Sequence, residues 1–235
     1  MRTLVVIPTY NEKENLAAVA AAVLDLGLAD LDVLVVDDAS PDGTGRLAEE
    51  LAASHPGRIS VLHRSGKLGL GTAYLEGFRL ALERGYQAAC EMDADGSHDP
   101  LDLPRLIAAV ASGADLAIGS RRVKGGRTEG WPAYRNFISS SAMKLTKWAL
   151  GLKTEDVTAG FRCYRAALLQ EILRRGIKSS GYSFQEETLY MAEKSGFKVA
   201  EIPVIFRDRR FGRSKLTKAE VWQFFATIWR LRRHK

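Results

Sequence analysis

Residues 4–38 read LVVIPTYNEKENLAAVAAAVLDLGLADLDVLVVDD, two apolar runs with a helical stretch between them. The runs at 4–7 and 33–36 are continuous in Val, Ile and Leu, the pattern of strands covered on both faces, and the apolar residues of 12–26 recur at helical spacing. Further strand-like runs at 59–62, 88–92 and 116–118 alternate with helical stretches at 45–53, 72–84 and 101–111. Strict β/α alternation requires crossover connections. It therefore predicts an α/β fold with a mostly parallel sheet flanked by helices, whose ligands lie outside the carboxyl ends of the strands. After Gly119 the order loosens into a Gly- and charge-rich loop at 122–132, a helical stretch at 134–150 and a mixed region. Neither linker composition nor an internal repeat divides the chain, so residues 1–235 are read as a single domain, the second half elaborating the first.

The bulk properties narrow the partners. With 235 residues and 46% hydrophobic composition, the chain can bury one substantial core. Its net charge of +6 favours an anionic partner: a nucleotide, a phospholipid surface or nucleic acid. No RNP-like or helix-turn-helix signature supports the last, and only non-specific nucleic-acid binding is expected. Cys90 and Cys163 lie in strand-like stretches without metal or disulfide spacing, which predicts a reducing, cytoplasmic setting. The first residues run straight into a strand pattern, so no signal peptide is expected. No apolar run approaches the ~18 residues that span a bilayer, so any membrane is met from outside.

Five polar clusters follow the apolar runs. Pro8-Thr9-Tyr10-Asn11-Glu12 reads either as a turn with Asn11 capping the next helix or as a nucleoside contact. In Asp37-Asp38-Ala39-Ser40-Pro41-Asp42-Gly43-Thr44 the adjacent carboxylates point to opposite sides of the strand, so at most one faces a shared crevice. Asp38 is assigned to it, and Asp42-Gly43-Thr44 to the turn. In Glu91-Met92-Asp93-Ala94-Asp95-Gly96-Ser97-His98-Asp99, a spacing of two aims Asp93 and Asp95 the same way if the strand persists, a hard oxygen pair suited to Mg²⁺ or Mn²⁺. His98 reads as a support or turn residue beside it, since diphosphate-bound Mg²⁺ favours oxygen. Arg121, and Arg135 with Ser139 one helical turn later, form a cationic group able to clamp a phosphate, or else a solvated rim. Residues 206–215 form a basic, Gly-containing loop able to close over a diphosphate.

The ordered set of PTYNE at 8–12, DDASPDGT at 37–44, KLGLGTAYLEGF at 67–78, EMDADGSHDP at 91–100, GSR at 119–121, DVTAGFRCYR at 156–165, GYSFQEE at 181–187 and RRFGRSKL at 209–216 resembles the inverting family 2 glycosyltransferases of GT-A fold. Within them it is similar to the dolichol- or polyprenol-phosphate mannose synthases. The resemblance implies that Pro8, Tyr10, Glu12, Val36 and Asp38 hold the nucleoside, and that Asp93, Ala94 and Asp95 hold the sugar diphosphate and its metal. Ser97 stands where some relatives carry a Gln metal ligand. Arg121, Arg135 and Ser139 would grip the acceptor phosphate, with Arg209 and Lys215 on the donor diphosphate. Asp95, Arg121 and Arg135 are then the expected catalytic groups. The implied donor is GDP-mannose and the acceptor a polyprenyl or dolichyl phosphate. UDP-glucose as donor, or a nucleotide-binding partner protein without turnover, are the alternatives. A C-terminal amphipathic helix over about 217–235 carries Trp222, Phe225 and Trp229 at helical spacing and a terminal cluster of Arg and Lys. It reads either as an interfacial helix, peripheral at the cytoplasmic face of a membrane, or as a packing helix with a basic tail. Many relatives continue into transmembrane segments, which leaves room for a separate membrane protein partner.

Overall fold

In the computed structural model, which describes residues 1–181, 183–208 and 218–233, the opening run forms β1 (Thr3–Thr9) and the helix after it α1 (Lys13–Leu24). The chain continues through β2 (Leu31–Asp37), α2 (Thr44–Ser54), β3 (Ile59–His63), α3 (Leu70–Glu83) and β4 (Ala88–Glu91), each within a few residues of its sequence signal. A short 3₁₀ turn then leads into α4 (Leu103–Ala111) and β5 (Leu116–Ser120). The looser half adds β6 (Arg127–Glu129), α5 (Ala133–Leu150), β7 (Arg162–Arg165), α6 (Ala166–Arg175), α7 (Phe184–Lys194), β8 (Val199–Pro203), β9 (Ile205–Arg207) and α8 (Lys218–Arg233).

Seven strands form one sheet in the order β3-β2-β1-β4-β7-β5-β8. Every neighbouring pair is parallel except those made by β7, which runs antiparallel to β4 and to β5. The expected alternation is thus broken at one place. β7 enters the middle of the sheet although Arg162 and Arg165 make its sequence look polar. Alternate residues of the central strands face opposite layers. Val5, Ile7, Val33 and Val35 pack with α1, α2 and α4, whereas Leu4, Val6, Leu34 and Val36 pack with α3, α6 and α7. Each such fully buried Val or Leu contributes roughly 1.5–3 kcal/mol. The packing of α3 on β1 is close enough to require Gly77, because a Cβ there would lie 2.5 Å from Val6 Cγ1.

The N-cap expected at Asn11 is corrected. Asn11 adopts φ 58 and donates its amide to Ser40 Oγ, while Glu12 occupies the cap position without a side-chain cap bond. The first-turn amides of α1 are met from the neighbouring strand end: Glu12 N donates to Thr44 Oγ1 and Lys13 N to Asp42 Oδ2. Two loops after adjacent parallel strands are thereby stitched together, so the 8–12 and 37–44 clusters share one structural unit. The second, two-stranded sheet pairs β6 with β9 in parallel. It fixes the loop after β5 against the chain leaving β8, both at the carboxyl edge of the main sheet.

Candidate active site at the carboxyl edge of the sheet

β4 ends at Glu91, so the period-two argument for Asp93 and Asp95 does not apply: both lie in the turn beyond the strand. Their placement comes from local hydrogen bonds instead. The Ser97 amide donates to Asp95 Oδ1 at 3.1 Å, and the Asp93 amide donates to His98 Nδ1 at 3.1 Å. Tyr74, from α3 beneath, donates its hydroxyl to Asp93 Oδ1. The His98 ring is buried and stacked on Phe161 with centroids 4.8 Å apart, so it acts as a fixed wedge behind the carboxylates. Because Nδ1 accepts, the ring's other nitrogen carries the proton when the imidazole is neutral. β9 clamps the same turn from outside through Arg207 N to Ser97 O and Arg207 Nη1 to Asp99 Oδ2.

Across from this turn stand the cations. Arg121 follows β5 and is bound to the buried carboxylate of Asp156, Nε to Oδ2 at 2.7 Å and Nη2 to Oδ1 at 2.6 Å, with Nη2 also donating to Thr158. Burial works to raise the Asp156 pKa, but the guanidinium and its hydrogen bonds outweigh it and hold that carboxyl below the usual range. The bidentate fork expected to meet a phosphate is therefore already engaged, leaving Arg121 to present its remaining edge. Arg135, at the start of α5, pairs with Asp208 at 3.3 Å and lies 4.0 Å over the Trp131 ring. Trp131 meets Phe206 edge-on at 5.5 Å, and Arg121 sits 5.4 Å from the Phe206 centroid. A two-residue aromatic wall thus spaces the guanidiniums.

Asp93, Ala94, Asp95 and Ser97 share with Arg121, Arg135 and Ser139 a single cavity of about 510 Å³, which Pro8 and Glu12 also line. Apolar side chains, Leu70, Ile138, Ala142, Phe224 and Phe225, complete its lining. The cavity can accept both a polyanion and a hydrocarbon.

The sequence profile described as glycosyl transferase family 2 matches residues 4–173. This chain belongs to that family. The glycosyltransferase is 48% identical over 220 residues to the polyprenol monophosphomannose synthase of Mycolicibacterium smegmatis, covering 94% of this chain and 83% of that protein. It is 47% identical over 230 residues to the undecaprenyl-phosphate mannosyltransferase of Micrococcus luteus, covering 98% of this chain and 93% of the relative. Among solved structures, glucosyl-3-phosphoglycerate synthase of Mycobacterium tuberculosis, in complex with Mn²⁺, UDP and glucosyl-3-phosphoglycerate, superposes with a TM-score of 0.72. That match has 20% identity and covers 97% of this chain and 79% of the other, so the fold is that of the GT-A glycosyltransferases.

Three other residues expected at the glycosyltransferase site, Tyr10, Val36 and Asp38, are not among those lining that cavity. The Val36 side chain is wholly in the core, leaving only its backbone for any ligand. Tyr10 and Asp38 follow paired residues of β1 and β2, with Lys67 Nζ 4.7 Å from the Tyr10 ring centroid. Asp38 accepts Arg64 Nη1 at 2.7 Å, and Arg64 Nη2 reaches Thr72. Burial raises the Asp38 pKa against the pull of Arg64. Asp37 is structural, accepting Thr9 and Ser40. Arg209 and Lys215 lie outside the described residues. Sequence reasoning assigned no role to Trp131, Asp156, Ser183, Gln185 or Glu186. The motifs DVTAGFRCYR and GYSFQEE contain all but Trp131, yet nothing in their spacing reveals which side chains turn inward.

Proposed function

We propose that this glycosyltransferase moves mannose from GDP-mannose to the phosphate of a polyprenyl or dolichyl lipid, with inversion, using a divalent metal. The observation that carries the reading is the shared cavity, with carboxylates, guanidiniums and an apolar wall around one space. The near-half identity to two polyprenyl-phosphate mannosyltransferases supports the donor and acceptor.

The donor set fits Mg²⁺ or Mn²⁺. Among the described residues no group of three or more His, Cys, Asp and Glu forms a closed metal cage. Asp93 and Asp95 supply hard oxygens, and the buried Ser97 Oγ has no hydrogen-bond partner among the described residues, so it is available to the ion or to a water on it. Such a partial set suits an ion that completes its shell with diphosphate oxygens and water. When bound, the ion supplies charge neutralisation to the departing nucleoside diphosphate.

The residues do the rest by position. A phosphate monoester oxygen is anionic at neutral pH, so no general base has to remove a proton from it. Arg135 and Ser139, on one face of α5, hold the acceptor phosphate, Arg135 exchanging Asp208 for the ligand. Arg121, fixed by Asp156, adds positive potential without having to reorganise. Attack opposite the leaving group inverts an α-linked donor to a β-linked lipid phosphosugar. Trp131 and Phe206 exclude water from the space between. Arg135→Ala is expected to raise the KM for polyprenyl phosphate and lower kcat/KM by about 10²-fold, with GDP-mannose affinity within about twofold of wild type. Steady-state kinetics with each substrate varied in turn checks this, and a defect in donor binding alone would contradict the assignment.

The surface beside the cavity supports peripheral membrane attachment. No helix among the described residues is long and apolar enough to cross a membrane. α5, however, exposes Tyr134, Phe137, Ile138, Leu145 and Trp148 along one stripe, and α8 exposes Trp222, Phe225 and Trp229. The two helices pack together, with Arg232 5.5 Å from the Trp148 ring centroid and Arg233 3.9 Å from that of Trp229. Aromatic rings flanked by arginines suit the headgroup region of an anionic bilayer. Ile138, Phe224 and Phe225 also line the cavity, so the same face brings the lipid's hydrocarbon to the site. Replacing Trp148 and Trp229 together by Glu should weaken co-sedimentation with anionic vesicles by about tenfold or more, without a shift in melting temperature. Unchanged vesicle binding would remove this surface from the proposal.

The overall reading is tested by incubating the purified protein with labelled GDP-mannose, a short polyprenyl phosphate and Mg²⁺ or Mn²⁺. Lipid-linked mannose should form, disappear with a chelator and resist competition by UDP-glucose. Absence of product, or product indifferent to the chelator, overturns it.

A further inference from the structure

GYSFQEE opens α7, whose first turn reaches the cavity with Ser183, Gln185 and Glu186. Behind it, β4 and β7 place Glu91 and Arg162 directly opposite each other in register, and both side chains are wholly buried. Burying charged side chains is costly, and apolar replacements of the same volume are often neutral or stabilising. Their hydrogen bonds show what they hold. Gln185 Nε2 donates to Glu91 Oε2 at 2.7 Å, and Arg162 Nη1 donates to the Gln185 carbonyl oxygen at 2.9 Å. Gln185 is thus gripped at its side chain by Glu91 and at its backbone by Arg162.

That grip dictates which end of the amide is committed. Burial pushes the Glu91 carboxyl up to about 7; in its ionised form it only accepts, so Nε2 faces Glu91, and the other end, Oε1, is an acceptor. Gln185 Oε1 is buried and has no hydrogen-bond partner among the described residues, and the same holds for the adjacent Ser183 Oγ. Leaving such atoms unpaired in a buried site is costly, which implies a partner that arrives with the ligand. The position identifies that ligand's chemistry. Gly160 lies between Gln185 and His98, since a Cβ there would be 3.7 Å from Gln185 Nε2 and 3.9 Å from His98 Cε1. His98 in turn holds the backbone of Asp93. Gln185 is therefore next to the diphosphate end of the cavity, where the transferred group is attached. A group that brings several hydroxyl donors to that place is a sugar.

We infer that Gln185, together with Ser183, reads the hydroxyls of the donor sugar, and that Glu91 and Arg162 are positioning residues that fix the glutamine's orientation. The inference rests on the nucleotide-sugar reading of the cavity and adds to it the residues that discriminate between sugars.

Affinities for GDP, GDP-mannose and GDP-glucose, measured by calorimetry with Mg²⁺ present, test it, because the two sugars differ only in the orientation of one hydroxyl. Gln185→Met keeps length and shape but removes both hydrogen-bonding atoms. It is expected to weaken GDP-mannose by about tenfold or more, to leave GDP within about twofold, and to bring the GDP-mannose to GDP-glucose ratio close to one. Glu91→Gln offers the glutamine either a donor or an acceptor, so its orientation is no longer fixed. This variant should show a smaller loss, about three- to tenfold, again confined to the sugar nucleotides. If Gln185→Met does not fold, Glu91→Gln carries the test. Equal weakening of GDP and GDP-mannose, or an unchanged ratio between the two sugars, overturns the inference while leaving the mannosyltransferase reading intact. Wild-type protein that binds GDP but neither sugar nucleotide would overturn both.

Discussion

Asp95→Ala is expected to lower mannosyl transfer by about 10³-fold, roughly 4 kcal/mol of barrier, while shifting the melting temperature by only a few degrees. Asp95 lies beyond the end of β4 and outside the strand ladder. Its Oδ1 accepts from the Ser97 amide, the kind of turn contact whose loss costs about 1 kcal/mol. Its larger role is charge. The carboxylate and its neighbour Asp93 are the groups proposed to hold the metal, and a neutral alanine would remove one of them from an ion with few protein ligands to lose. Asp95→Asn keeps an acceptor oxygen for Ser97 without the charge, and is expected to fall between the two with a raised metal requirement. Transfer rates across a Mn²⁺ titration, read beside thermal melts, measure this. Activity of Asp95→Ala within tenfold of wild type at saturating metal would mean that the carboxylate pair is not the metal site.

Asp156→Ala should cost both stability and activity, the first by about 3–5 kcal/mol. Asp156 is fully buried and takes three bonds from Arg121, two from the guanidinium and one from the backbone amide. Breaking a buried pair from one side strands the other charge. The pH dependence follows from the sign of the shift. The folded pKa of Asp156 is lowered, so its contribution is fully present above the unfolded value, about 3.9, and is lost as pH falls through the folded value. Wild type should therefore lose stability in acid more steeply than Asp156→Ala, so that the gap between the two melting curves narrows as the pH falls below about 3.9. Activity should fall by about 10²-fold because an unanchored Arg121 must be ordered during the reaction. A variant that melts like wild type at pH 7 would show that the pair is not what holds Arg121.

Much of the frame was legible because periodicity reports local burial. The runs at 4–7, 33–36, 59–62, 88–92 and 116–118 became β1 to β5, since a continuous apolar run of that length has few alternatives to a covered strand. The polar clusters fell at the carboxyl edge because crossover connections put every parallel strand end there. β7 was not legible: two arginines in four residues hide a strand whose surroundings satisfy Arg162 with three carbonyls from two segments, the 157–159 loop and the first turn of α7. The Asn11 cap failed for a related reason. The amides of α1 are met by Asp42 and Thr44 across the strand pair, and local spacing cannot show a partner some thirty residues away.

By itself, the sequence determined an α/β sheet with acidic and cationic residues at one edge, and the identity of the family, because residue type and local period are properties of short segments. Only the tertiary structure decided that Arg121 is committed to Asp156, that the aspartate turn is held by His98 and Ser97 rather than by a strand, and that Gln185 is held from behind by the buried Glu91 and Arg162. Those outcomes depend on which side chains meet across the sheet and in the loops above it. Hydrogen-bond geometry and burial are set there by packing between distant segments, and no spacing along the chain encodes them.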